Sequence, residues 1–181
     1  MRRQLLTARL LLRQWREEDR EPFARINSDP EVMRYLPALL SREESDSLMG
    51  RAKTHFAVHG FGPFALELRE TGQLAGFLGL VVPSFEAHFT PAVEIGWRLD
   101  ASLWNQGLAT EGAREVLRYA FEELLLPEVV SFTVPANLAS RRVMEKIGLA
   151  RDPADDFDHP RLSEGHPLRR HVLYRKRRDE R

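Results

Sequence analysis

The chain contains no cysteine, which removes disulfides, thiol nucleophiles and thiolate metal sites from its chemistry and is compatible with a reducing compartment. No apolar run approaches the roughly 20 residues of a membrane span, and Leu5 to Leu12 is interrupted by Thr7 and Arg9, unlike the core of a secretion signal. Neither sign of charge is in excess: Lys plus Arg and Asp plus Glu number 27 each, so no bulk field argues for nucleic acid or a membrane surface as a partner. Only the tail Arg175 to Arg181 is locally basic, and a solvated terminus accounts for it. Two phosphate-binding signatures are also missing, the Gly-Lys-Ser/Thr ending of a P-loop and the G-x-G-x-x-G of a dinucleotide fold. These absences leave a cytoplasmic protein of one domain, 1–181, in which 43% hydrophobic residues suffice for a sizeable core.

What is present is a loop built to hold an anion. Trp104-Asn105-Gln106-Gly107-Leu108-Ala109-Thr110 runs directly into an amphipathic helix, whose Ala113, Val116, Leu117, Ala120, Phe121 and Leu124 recur at spacings of three and four. Gly107 has no Cβ to block a close approach or a positive φ, and the first N–H groups of the helix lack intrahelical partners. Those donors and the positive end of the helix dipole form an anion site without a lysine. Upstream, Val93 to Leu99 alternates, with Val93, Ile95, Trp97 and Leu99 on one face and Glu94, Gly96 and Arg98 on the other. The unit is strand, phosphate loop, helix.

The remaining elements follow from local signals. A strand is expected at about Leu6 to Gln14, then a short helix carrying Phe23 and Ile26. Ser41 and Glu44 form a capping box that opens a second helix, with Leu48, Ala52 and Phe56 on one face and its end near Gly60. Two strands, about Phe64 to Arg69 and Gln73 to Val82, read as a hairpin. Val129 to Val134 is a β-branched strand, Leu138 to Ile147 a helix ended by Gly148, and His171 to Lys176 a last strand. Between the last two, Arg151 to Arg170 shows no periodicity and reads as a long loop whose His159 and His166, with His171 beyond it, either line a pocket or stay solvated. His55 and His59, spaced i, i+4, have no third metal ligand beside them, so no metal site is expected.

Several of these segments together resemble the GNAT acetyltransferases, in particular the branch that includes the ribosomal-protein N-terminal acetyltransferases. The resemblance is carried by Arg9-Leu10-Leu11-Leu12-Arg13, Asp29-Pro30-Glu31-Val32, Glu94-Ile95-Gly96-Trp97, Trp104-Asn105-Gln106-Gly107-Leu108-Ala109, Ala109-Thr110-Glu111, Asn137-x-x-Ser140-x-x-Val143, Glu145-Lys146-Ile147-Gly148-Leu149 and His171-Val172-Leu173-Tyr174-Arg175, in the family's order. It implies an α/β fold with a mixed, mostly antiparallel sheet of about seven strands, helices on both faces, and a splay where the phosphate-loop strand meets the next. It also implies acetyl-CoA as cosubstrate, no metal, and direct transfer of an acetyl group to a primary amine on a small molecule or peptide, with a homodimer left open. A non-catalytic acyl-CoA-binding module and a ribosome-associated protein are the alternatives.

Acetyl transfer from a thioester to an amine needs a proton acceptor for the amine and a proton for the departing thiolate. Glu94, a carboxylate within an apolar strand, is the candidate base; pairing with Arg98 on its own face is the competing reading. Many relatives carry a tyrosine seven residues after the helix-start Asn, where this chain has Met144, so Ser140, one turn earlier, becomes the candidate donor, against a role in satisfying backbone. Cofactor contacts are expected from Ile95 and Trp97 on the strand, from Gln106, Gly107, Leu108, Ala109 and Thr110 on the loop, and from Asn137 and Arg141; Asn137 has a helix N-cap as its alternative and Arg141 a solvated surface.

Overall fold

The computed structural model describes residues 4–178. Asp179 to Arg181, the end of the basic tail, lie outside the described residues, whereas Arg175, Lys176 and Arg177 belong to the last strand. In chain order the elements are β1 Gln4–Leu6, β2 Leu10–Arg13, α1 Arg20–Ser28, α2 Arg42–His59, β3 Pro63–Leu68, β4 Leu74–Val81, β5 Glu94–Leu99, α3 Leu108–Arg118, β6 Glu128–Thr133, α4 Leu138–Lys146, β7 Ala150–Arg151, β8 Phe157–Asp158 and β9 Arg170–Arg177. They form one sheet in the order β1-β2-β3-β4-β5-β6-β9-β7, with β8 also pairing β9. Every pairing is antiparallel except that of β5 with β6.

Two sequence expectations change in detail. The single N-terminal strand is two, because Thr7 turns the chain: its hydroxyl accepts from the Leu10 N–H at 3.0 Å, and β1 folds back on β2. The apparent loop Arg151 to Arg170 includes β8, and Phe157 within it is only 6% exposed. Such short strands carry too few residues for an alternating pattern to be read.

Helices cover both faces. The Ser41–Glu44 capping box is present, and α2 ends on Gly60 in the left-handed region at φ 80°. On one face α1 and α2 pack Phe23, Met49 and Ala52 against Trp15, Ala65 and Leu74. On the other, α3 buries Leu108, Ala113, Val116 and Leu117 among Leu10, Leu66 and Leu78. Gly112 permits that approach: a Cβ there would stand 3.0 Å from Leu78 Cδ1 and 3.3 Å from Leu10 Cδ1. Burial of this stripe, at about 1.5–3 kcal/mol for each large side chain, fixes the direction in which the N-terminus of α3 points. Met144 on α4 joins the same core at 2% exposure.

The β6–β9 half of the sheet is covered differently. On the face that α1 and α2 occupy elsewhere, loop residues Phe85 and Phe89 pack with Phe132 of β6, Phe157 of β8 and Leu173 of β9. Among the described residues no helix is long and apolar enough to cross a membrane.

Candidate active site

The site grows from the one parallel contact in the sheet. β5 and β6 are in register at a single pair, Glu94 with Val130, and then separate. Just beyond that pair the hydroxyl of Ser131, 2% exposed, donates to the Ile95 carbonyl at 2.8 Å and closes the apex of the splay with a side chain in place of a strand ladder. The carbonyls of Val93, Ile95 and Leu99 all face away from β4: they accept from Val130 N–H, from Ser131 Oγ and from the Trp104 indole N–H respectively. By the same alternation the N–H and C=O of Trp97 face the opening. Ile95, expected as a cofactor contact, instead has its carbonyl held by Ser131, so Trp97 is the first β5 residue to offer backbone to the splay.

Glu94 stands at this apex on the opposite face of β5 from Ile95, beside Gly96; a Cβ built on Gly96 would meet only Glu94 Oε1, at 3.7 Å. Protein encloses most of the carboxyl while water still reaches it, and this desolvation raises its pKa to about 8. The competing reading, an ion pair with Arg98, is overturned. Arg98 Nη1 donates to Asn27 Oδ1 at 2.5 Å, and Asn27 Nδ2 in turn donates to Ser45 Oγ at 2.8 Å, so the guanidinium turns toward α1 rather than along its strand.

At the other end of β5 the chain enters the phosphate loop. Gly107 has φ 78° and caps α3, and Asn105 also takes a positive φ of 60°. A short 3-10 turn, 101–103, precedes it, held by Asp100, whose carboxylate accepts from Ser102 N–H at 2.9 Å. The first-turn N–H groups of Leu108, Ala109 and Thr110 point off the helix end, as an anion site requires. The site does carry a cation, an arginine brought in from the other end of the chain. Arg9 donates through Nη1 to the Gln106 carbonyl at 2.9 Å and through Nε to Glu111 Oε2 at 2.7 Å, and Nη2 lies 3.6 Å from the position of a Gly107 Cβ. Glu111 also accepts from Thr7 Oγ1 at 2.6 Å and from Arg9 N–H at 2.8 Å, so it ties the β1–β2 turn to the loop. The signals were Arg9 at the start of an apolar run and a carboxylate in the first turn of α3.

Beyond the splay, Asn137 is the N-cap of α4: its side chain accepts from Ser140 N–H at 3.3 Å and donates to Thr133 Oγ1 at 3.0 Å. Ser140 is half-buried one turn before buried Met144. Arg141 is half-buried, its Nη1 donating to the Pro135 carbonyl at 2.9 Å and its Nε to Tyr174 Oη at 3.2 Å.

A ring cluster that the sequence did not reveal lies on the Glu94 face of the splay. Phe85, Phe89, Phe132 and Phe157 pack mutually, with centroid separations from 4.8 Å for Phe89–Phe157 to 6.2 Å for Phe85–Phe89. His159 sits 4.6 Å from Phe85, and His171 5.2 Å from His159. Burial lowers the pKa of both imidazoles. His171 Nδ1 lies 3.0 Å from the Arg169 carbonyl, so that nitrogen carries the proton. His159 and His171 thus pack into the ring cluster, where they pin the loops 84–91 and 151–170 beside the splay. His55 is also occupied, between the Phe61 carbonyl at 2.7 Å and the Val82 N–H at 2.9 Å.

Comparison with known proteins agrees with this geometry. Residues 9–150 match the family model described as the acetyltransferase (GNAT) domain. The chain is 38% identical over 152 residues to the FsC-acetyl coenzyme A-N(2)-transacetylase of Aspergillus fumigatus, a match spanning 80% of this chain and 64% of that protein, so it covers somewhat less than two thirds of that relative. It is 31% identical over 149 residues to the uncharacterized N-acetyltransferase YnaD of Bacillus subtilis, covering 82% of this chain and 83% of that one. Among solved structures, a GNAT-family acetyltransferase from Bacillus anthracis superposes with a TM-score of 0.80 at 26% identity, covering 98% of this chain and 99% of that one. With the family model covering most of its length and its fold superposing on a solved member over nearly the whole of both chains, the chain belongs to the GNAT acetyltransferases and is an acyltransferase.

Proposed function

We propose that this protein transfers the acetyl group of acetyl-CoA directly to a primary amine, on a small molecule or a peptide, in a ternary complex. The observation that carries the reading is the splay itself: a strand edge left open next to a helix N-terminus, with a desolvated carboxylate at its apex. Family membership supports acetyl-CoA as donor, and the name of the Aspergillus relative joins acetyl coenzyme A to an N(2) acceptor. The pyrophosphate takes the N–H groups of Gln106, Gly107, Leu108, Ala109 and Thr110, with Arg9 at the loop edge. The pantetheine lies against Trp97 and near Asn137. Arg141, fixed to Pro135 and Tyr174, takes no part.

In the reaction the amine nitrogen attacks the thioester carbonyl carbon, the C–S bond breaks and an amide forms. The proton shed by the amine passes to Glu94, directly or through water, and the thiolate sulfur is protonated with Ser140 as the nearby hydroxyl donor. An acceptor arriving as an ammonium ion is itself the counter-charge that Glu94 lacks, so binding draws the carboxyl toward its ionised form. Placement within the ribosomal-protein acetyltransferase branch and a cytoplasmic location belong to this proposal. The test is thiol release from acetyl-CoA with a panel of amines. Amine-dependent CoA release with formation of the N-acetyl product is expected; CoA binding with no release on any amine refutes the catalytic reading.

A further inference from the structure

Two charged side chains on one face of β5 have no charged partner among the described residues. Glu94, Gly96 and Arg98 project from that face in succession. Among the described residues no ion pair joins Arg98 to a carboxylate: its guanidinium meets the neutral Asn27 Oδ1 and the ring of Phe77, 5.5 Å from the guanidinium carbon. A guanidinium withdrawn from water without an anion is costly, and burial lowers its pKa to about 10. It is not sealed off, since the residue keeps partial exposure. Between the two charges the surface is open. Gly96 does not have a positive φ that would demand glycine, and a Cβ there would touch only Glu94. Its partner across the β4–β5 ladder, Gly79, also lacks a side chain. The floor from Glu94 to Arg98 is therefore bare backbone.

We propose that this groove binds the acceptor as a zwitterion, with the reacting amine at Glu94 and an acid group at Arg98, so that the acceptor is an amino acid whose carboxylate lies several bonds from the amine that is acetylated. The proposal rests on the reading of Glu94 as the group that receives the amine's proton. Positions 94 and 98 are about 13 Å apart at Cα, and side chains on one face of a strand stand roughly perpendicular to the sheet, so the gap between them suits an amine and an acid separated by several methylene groups better than those of an α-amino acid. The guanidinium offers donors in a fixed fork that matches a carboxylate, and Asn27, fixed by Ser45, holds one of its nitrogens in place so that less freedom is lost on binding. Gly96 leaves room for the methylene chain between the two ends.

The test is calorimetric titration of the CoA-saturated protein with ω-amino acids of four to eight carbons and with the corresponding ω-amino carboxamides. Wild type is expected to bind the acid at least tenfold more tightly than the amide at one or more chain lengths. In Arg98→Gln that ratio falls toward one, Arg98→Lys retains part of it, and Gly96→Val weakens acid and amide together. Equal binding of acid and amide by wild type at every length, including no binding of either, overturns the proposal without any variant. So does an undiminished acid preference in a folded Arg98→Gln protein. Because binding is read rather than turnover, failure of the base assignment shows separately, as a Glu94→Gln enzyme with full activity.

Discussion

If Glu94 accepts the amine's proton with a pKa of about 8, the protein at neutral pH holds most of its base in the wrong form. The ionised fraction is roughly 9% at pH 7, 50% at pH 8 and 91% at pH 9. The amine itself also titrates, so the informative quantity is the ratio of wild-type to Glu94→Gln rates, in which the acceptor's own protonation cancels. That ratio is expected to rise about tenfold between pH 7 and pH 9, on top of a loss of roughly 10² in kcat for the variant at its optimum. The same carboxyl has a stability signature of defined sign. Its folded pKa is raised above the ordinary value of 4.5, so its contribution is fully present below pH 4.5 and is lost as pH climbs through 8. Replacing it by Gln should therefore stabilise the fold increasingly over that window, by on the order of 1–3 kcal/mol once the full shift is discounted for the water that reaches the group. Thiol-release kinetics and thermal melts from pH 4 to 9.5 measure both effects. A rate ratio that stays constant across pH 6–9 in a folded variant refutes the role in proton transfer, and a melting difference without pH dependence refutes the desolvated environment.

Gly107→Val should weaken acetyl-CoA binding at least tenfold, about 1.4 kcal/mol by calorimetry, because a β-branched residue resists φ 78°; unchanged affinity in a folded variant removes the loop from the binding site. Ser140→Ala should lower kcat more than tenfold at saturating acetyl-CoA if its hydroxyl protonates the sulfur, and a rate within twofold of wild type excludes it. Phe157→Ala should cost about 3–5 kcal/mol in denaturant unfolding, since the ring is 6% exposed and anchors a cluster of aromatic side chains; a loss under 1 kcal/mol means the loops are held by other contacts.

Elements that depend on neighbours within a turn or two are legible in the chain alone. The Ser41–Glu44 box, the Gly60 and Gly148 stops, the alternation of β5 and the stripe of α3 are local, and so was the strand–loop–helix that makes the anion site. Tertiary structure decided everything that depends on which strand lies beside which. Whether Glu94 pairs with Arg98 could not be read from a two-step spacing, because the outcome turned on Asn27, 71 residues away, offering Arg98 its amide oxygen. Arg9 meets the phosphate loop across 97 residues, and only the sheet order brings the β1–β2 turn there. The ring cluster gathers four phenylalanines from three segments far apart in the chain, the loop before β5, β6 and β8. The splay is the plainest case: β6 reads as an ordinary β-branched strand, yet it leaves β5 after one register pair, and the hydroxyl of Ser131, which ties the two strands at that apex, has a meaning only where it meets the carbonyl of Ile95.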